Sequence, residues 1–128
     1  MLPKQYRAST KDFLNISGSH SKVRPDFFVS TPLLGLSVYK TETTKPLFAA
    51  RVGKKVASLA TVRNKFRRCI YQSVSEHDKN YQDFPSGLYV LSVKGSVKGF
   101  TKIQLSKRVN DLKGDVSNLL TQTQESFN

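Results

Sequence analysis

Apolar positions along the chain form two kinds of run. Some are short dense clusters bounded by turn residues; others are longer stretches in which the apolar residues recur every three or four positions. DFFVSTP at 26–32 is aromatic and β-branched and predicts a strand, with Pro32 forcing an edge, a bulge or the strand's end. LGLSVYK at 34–40, PLFAARV at 46–52 and GLYVLSVK at 87–94 predict three more strands. Phe27 and Phe28 are neighbours on the first strand, so they point to opposite faces and one of them leaves the core side.

Helical spacing appears in three places. STKDFLNIS at 9–17 predicts a short helix capped by Ser9 or Thr10. In SLATVRNKFRRCIYQSV at 58–74, Leu59, Val62, Phe66, Cys69 or Ile70, and Val74 form one apolar stripe behind a Ser58 cap. Leu105, Val109, Leu112, Val116 and Leu119 continue a helical period after the last strand. An interruption is expected near Gly114, which costs about 1 kcal/mol relative to Ala inside a helix. The order α-β-β-β-α-β-α implies an α+β chain with helices layered on a sheet of about four strands. The turn-rich pieces at 17–22, 40–46 and 83–87 punctuate one domain, residues 1–128, without dividing it.

Charge changes this picture. The formal net charge is +12, and residues 1–75 account for +11 of it. RVGKKVASLATVRNKFRRC at 51–69 holds seven Lys or Arg and no acid. A field of one sign repels itself and destabilises the compact state, so its expected purpose is to bind a polyanion, above all nucleic acid. At about 100° per residue, Arg63, Arg67 and Tyr71 form one ridge beside the apolar stripe, with Asn64 and Arg68 on the next ridge outward. Like charges at i and i+4 cost a few tenths of a kcal/mol, and a bound phosphate backbone would relieve the Arg63–Arg67 pair. Lys54 and Lys55 add charge just before the helix, beside its positive dipole end. A solvated face is the ordinary reading of a charge run. Three features favour phosphate instead: the absence of acids, the coincidence with the global asymmetry, and the predominance of arginine. Exposed aromatics would serve the same end by stacking on unpaired bases, about 1–3 kcal/mol each.

Other chemistries find no support in the residues. The lone Cys69 excludes an intrachain disulfide and is expected to pack on a helix face. His20 and His77 lack metal-ligand spacing, VGKK at 52–55 lacks the full phosphate-loop pattern, and Glu76 with Asp78 is the only close carboxylate pair. No protein-borne acid and base is expected, and no metal ligand set. The longest apolar run, LLGLSV at 33–38, is far short of a bilayer span, and the first residues lack the apolar core of a secretory signal; a cytoplasmic location is expected. DNA recognition lacks the preceding helix and tight turn of a helix-turn-helix.

VGKKVASLATVRNKFRRCIYQSV resembles the signature of the bacterial ribonuclease P protein component, in which a paired-lysine turn leads into a helix bearing Arg-Asn-Arg and further basic residues. Lys54, Lys55, Ala60, Arg63, Asn64, Lys65, Arg67 and Arg68 carry the match, and Asp12 with Phe13 and the aromatic strand at Phe27 and Phe28 fit around it. The chain departs from the pattern at four residues and in the loop from Lys40 to Pro46, which is longer than typical. Lys65 replaces the motif's second arginine, Tyr71 stands where many members carry arginine, Ser17 replaces a first-helix aromatic, and Gly53 replaces the Ser before the lysines. The resemblance implies a two-layer sandwich of the ribosomal protein S5 domain 2-like kind, with a left-handed βαβ crossover. It also implies an RNA-binding subunit that assists a catalytic RNA, with Mg2+, in removing the 5′ leader of precursor tRNA. Lys54, Lys55, Arg63, Asn64, Lys65, Arg67 and Arg68 would then contact the catalytic RNA, and Phe13, Phe27 and Phe28 would line a leader cleft between the sheet and the first helix. The implied activity is that of an endoribonuclease ribonucleoprotein whose chemistry resides in the RNA. The alternatives are a ribosomal or other structural RNA-binding protein of the same fold and, against the missing acid-base pair, an autonomous nuclease.

Overall fold

The computed structural model describes residues 4–8, 25–40, 45–76 and 84–127. Four strands, β1 (Phe27–Ser30), β2 (Leu34–Tyr39), β3 (Pro46–Arg51) and β4 (Gly87–Val93), form one sheet in the order β1-β2-β4-β3. β1, β2 and β4 are antiparallel neighbours, whereas β3 lies parallel to β4. Two helices complete the described fold: α1 (Ala60–Glu76), which carries the chain from β3 across to β4, and α2 (Lys102–Phe127). α1 lies over β3 and α2 over β1 and β2, and the helices also pack against each other. This is the expected α+β arrangement, helices layered on a four-stranded sheet. Residues 9–17, where a first helix is expected, fall outside the described residues, as do Phe13, His20 and His77.

The sheet faces divide by the period of two. Leu34, Leu36 and Val38 of β2, Phe48 and Ala50 of β3, and Tyr89, Leu91 and Val93 of β4 enter the main core beneath the helices. Leu47, Ala49, Leu88 and Val90 form a smaller cluster on the other face, with Ala8 and Tyr39 against it. Buried on both faces, β3 and β4 read as unbroken apolar runs, as a parallel pair requires. At the centre Phe48 stacks on Tyr89 with ring centroids 5.1 Å apart, and Phe84 meets both rings edge-on. The Tyr89 hydroxyl donates to the Pro85 carbonyl at 2.7 Å, so this buried phenol has a partner.

From the helices the core receives Phe66, Cys69, Ile70 and Val74 of α1 and Leu112, Val116, Leu119 and Leu120 of α2. Leu59 does not join the stripe. The helix begins at Ala60, the Leu59 carbonyl accepts the first helical bond from the Arg63 N–H at 3.1 Å, and the Leu59 side chain stays 64% exposed. The cap position is therefore Leu59 and not Ser58. Nor is the second helix interrupted: α2 runs unbroken through Gly114. Leu112 and Val116 are fully buried on either side of that glycine, and their burial outweighs its propensity cost. Asp115 adds an anchor, accepting a 2.7 Å hydrogen bond from Thr31 Oγ1 in the β1–β2 turn. Thr31 Oγ1 also accepts from the Leu34 N–H at 3.1 Å, so one side chain closes the hairpin turn and ties it to α2. The α2 N-terminus is a capping box, with the Gln104 N–H donating to Thr101 Oγ1 at 3.2 Å and the Thr101 N–H donating to Gln104 Oε1 at 2.8 Å.

β3 is an edge strand, and two bonds occupy its outer side. The Ala8 N–H donates to the Phe48 carbonyl at 2.8 Å, and the Ala50 N–H donates to the Tyr71 hydroxyl at 3.2 Å. Tyr71 therefore turns towards the sheet edge instead of sharing an exposed ridge with Arg63 and Arg67. The unpaired strand N–H supplies the reason. Among the described residues no helix is long and apolar enough to cross a membrane.

Truncating the fully buried Phe66 should make the helical phase measurable. Phe66→Ala is expected to cost about 3–5 kcal/mol in denaturant unfolding, and an unchanged midpoint would mean the ring is not in the core. A pH dependence is also expected. Burial raises the Tyr89 hydroxyl above its ordinary 10.0, and burial, opposed by the Ser73 hydrogen bond, raises the Cys69 thiol above 9.0. The folded chain then keeps protons that the unfolded chain has released. Stability should be flat at neutral pH and fall as pH rises above about 9. Tyr89→Phe should shallow that alkaline decline while costing about 1 kcal/mol at neutral pH for the lost bond to Pro85; a decline as steep as the parent's would discount Tyr89 as its source.

Candidate nucleic-acid interface

The outward side of α1 is set by its inward side. With Phe66, Ile70 and Val74 driven into the core, Asn64, Lys65 and Arg68 must stand in solvent, while Arg63 and Arg67 lie half-buried along the flank. Arg67 Nη1 donates to Asn64 Oδ1 at 2.7 Å and joins the two ridges into one surface. The helix has no acid in its first turn. Its single carboxylate, Glu76 at the far end, accepts a 2.9 Å bond from Gln72 Nε2.

The candidate cations are not equivalent. Arg63 Nη1 donates to the Ala57 carbonyl at 3.0 Å and to the Ser58 carbonyl at 2.8 Å, pinning the connection that leads from β3 into the helix. That connection turns at Lys54–Val56, where the Val56 N–H donates to the Gly53 carbonyl at 3.1 Å, and it leaves Lys54 and Lys55 exposed. Lys65 is also exposed, but helical geometry puts it about 160° around the axis from Arg67, so the two cannot meet one phosphate together. Arg68 lies between them.

Arg51 joins this surface from outside the motif. It is the last residue of β3, and it lines with Arg67 and Gly53 a shallow concavity of about 390 Å³ at the C-terminal ends of the parallel pair. Charge count includes Arg51 in the acid-free stretch, but only the fold brings it to Arg67. Two guanidiniums at one concavity suit the bidentate binding of phosphate oxygens.

Phe27 and Phe28 separate as strand geometry requires. Phe27 turns to the helix side and packs half-buried on the main core, whereas Phe28 is 56% exposed on the opposite face. Gly35 gives the Phe28 ring its place: a Cβ there would stand 3.4 Å from the ring, in the diagonal cross-strand position. Of the two, Phe28 alone presents an open aromatic surface.

Among the described residues no three His, Cys, Asp or Glu side chains converge on a point that could hold a metal ion. Cys69 is buried, its thiol directed to the Val109 carbonyl at 3.4 Å, and its raised pKa makes it a poor nucleophile.

The protein-family model of ribonuclease P matches residues 2–116. A search of curated proteins finds no significant match. Among solved structures, one of the Staphylococcus aureus RNase P protein superposes with a TM-score of 0.58 at 17% identity, covering 89% of this chain and 94% of that one. A second structure of the S. aureus protein gives a TM-score of 0.53 at 18% identity, over 91% of this chain and 93% of that one. At such identities the superpositions speak for the fold, a sheet of this kind with its helices. The family follows from the match that runs through the paired lysines, the basic helix and most of α2: this chain belongs to the ribonuclease P protein family.

Proposed function

We propose that the chain is the RNA-binding subunit of ribonuclease P, assisting a catalytic RNA in cutting the 5′ leader from precursor tRNA. The observation that carries this reading is the outer face of α1, where Asn64, Arg67 and Arg68 stand together on a helix with no carboxylate before Glu76, while the inner stripe holds the helix to the sheet. A rigid cationic ridge binds phosphates without first having to be ordered, and its affinity rests on counterion release. Lys54 and Lys55 extend the contact at the end of β3, and Arg63 sets the course of the connection that presents them. In this reading the exposed Phe28, with Phe13 as its expected companion, stacks on unpaired leader bases, whereas Phe27 serves the core.

In this reading the protein neutralises phosphate charge and positions the substrate, and the hydrolytic water and magnesium belong to the RNA. A structural RNA-binding role on another particle would use the same ridge, and reconstitution separates the two. Added to a bacterial ribonuclease P RNA, the chain should increase precursor-tRNA cleavage at low magnesium; no gain would overturn the proposal. Cleavage by the chain without RNA would instead indicate a nuclease.

The double substitution Arg67→Ala and Arg68→Ala should weaken RNA binding and flatten its dependence on salt by about 0.7–0.9 per lost phosphate contact. Its melting temperature should stay near that of the parent, because among the described residues Arg67 hydrogen-bonds only to exposed Asn64. Unfolding of this variant would show that the arginines are structural.

A further inference from the structure

Beside the basic ridge, the connection into α1 and the connection into α2 enclose a groove of about 390 Å³. We propose that this groove holds one unpaired nucleotide of the RNA partner, its base on the apolar floor and its phosphate on the lysine rim. The proposal rests on the RNA-binding reading but concerns a different surface from the arginine ridge and from Phe28.

The floor is formed by Val56, Val62, Val97, Phe100 and Leu105, with Leu59 projecting at the mouth. Such a volume falls within the range of small-ligand sites, about 300–1,000 Å³. Its walls are held in place by bonds on both sides. The Val97 N–H donates to the Val56 carbonyl at 2.8 Å and joins the two connections, and the Phe100 N–H donates to the Val97 carbonyl at 3.1 Å. The Arg108 guanidinium lies 5.0 Å from the centre of the Phe100 ring and donates to the Gly95 carbonyl at 3.3 Å. Phe100 and Leu105 flank the Thr101 capping box at the positions where a hydrophobic staple forms, so the floor is part of how α2 begins.

The rim is cationic throughout. Lys54 and Lys55 stand on one side, Lys98 on the other, all exposed, and no Asp or Glu lines the groove. Neither helix carries an acid in its first turn, so nothing in those turns neutralises the lysines. A flat apolar base needs a floor of this kind, and its phosphate needs mobile point charges at the edge; Ser58 and Ser96 offer hydroxyls to the base edge. Leu59 gains a purpose here. It departs from the core stripe, and it is exposed where a base would cover it.

The test is an amide NMR titration of the full chain with a short single-stranded RNA, the same RNA bearing one abasic ribose, and anionic phospholipid vesicles. The intact RNA should shift Leu59, Val97 and Phe100, and the abasic RNA should shift them far less. Leu59→Ala, which removes the exposed side chain without adding a charge or a better cap, should weaken binding of the intact RNA about tenfold and leave the melting temperature near the parent's. Lys98→Ala should lower the salt slope by about 0.7, as loss of one single-strand phosphate contact requires. Equal shifts with the abasic RNA would reduce the groove to a phosphate contact and overturn the base site. Shifts at Asn64, Arg67 and Arg68 alone would overturn it while leaving the RNA-binding reading intact, and no shift anywhere would remove that reading too. Groove shifts with vesicles but not with RNA would assign the surface to a membrane instead.

Discussion

The parallel pairing of β3 with β4 is the constraint on which the rest depends. Adjacent parallel strands cannot be joined by a hairpin, so the chain must leave the sheet and return across its face, and α1 makes that crossing. Once it does, burying Phe66, Ile70 and Val74 on β3 settles the rotation of the helix about its axis, and with it the direction of every cation on the outer side. The exposed cations and the core-packing residues therefore sit on one helix, on opposite faces. Each can be altered without the other.

This division sorts the basic residues into two groups that composition cannot separate. Arg63 spends part of its guanidinium on the Ala57 and Ser58 carbonyls and so belongs as much to the fold as to any ligand. Arg68 and Lys65 are exposed and make no such attachment among the hydrogen bonds described. Tyr71, by phase a neighbour of the arginines, is drawn to the sheet by an unpaired N–H. A motif thus contains both exposed cations and the residues that fix the surface they stand on.

Much of the fold was legible in the sequence because its elements obey their periods. The four strands and the stripe Val62, Phe66, Ile70 and Val74 appear where apolar spacing puts them. The reading failed where tertiary contacts override local preference. Gly114 does not end a helix whose neighbours Leu112 and Val116 are fully buried, and Leu59 does not pack merely because it is apolar. Of the candidate site, two adjoining ridges, Arg63 with Arg67 and Asn64 with Arg68, followed from helical phase, whereas the bond from Arg67 to Asn64 that joins them did not. Arg51 and Lys98 could not be found that way, because each meets its partners only through strand ends or loops distant in sequence. The hydrogen bond from Thr31 to Asp115, 84 residues apart, was equally invisible.

The two bonds on the outer side of β3 have a consequence for the chain before it meets any ligand. An edge strand with open N–H and C=O groups is a template for another chain's strand, and a newly made copy awaiting its partner would be exposed to that risk. Here the Phe48 carbonyl is taken by Ala8 and the Ala50 N–H by Tyr71, while the opposite edge, β1, is only four residues long. The Tyr71 hydroxyl and the Ala8 N–H thus leave that edge fewer open groups for a foreign strand to pair with.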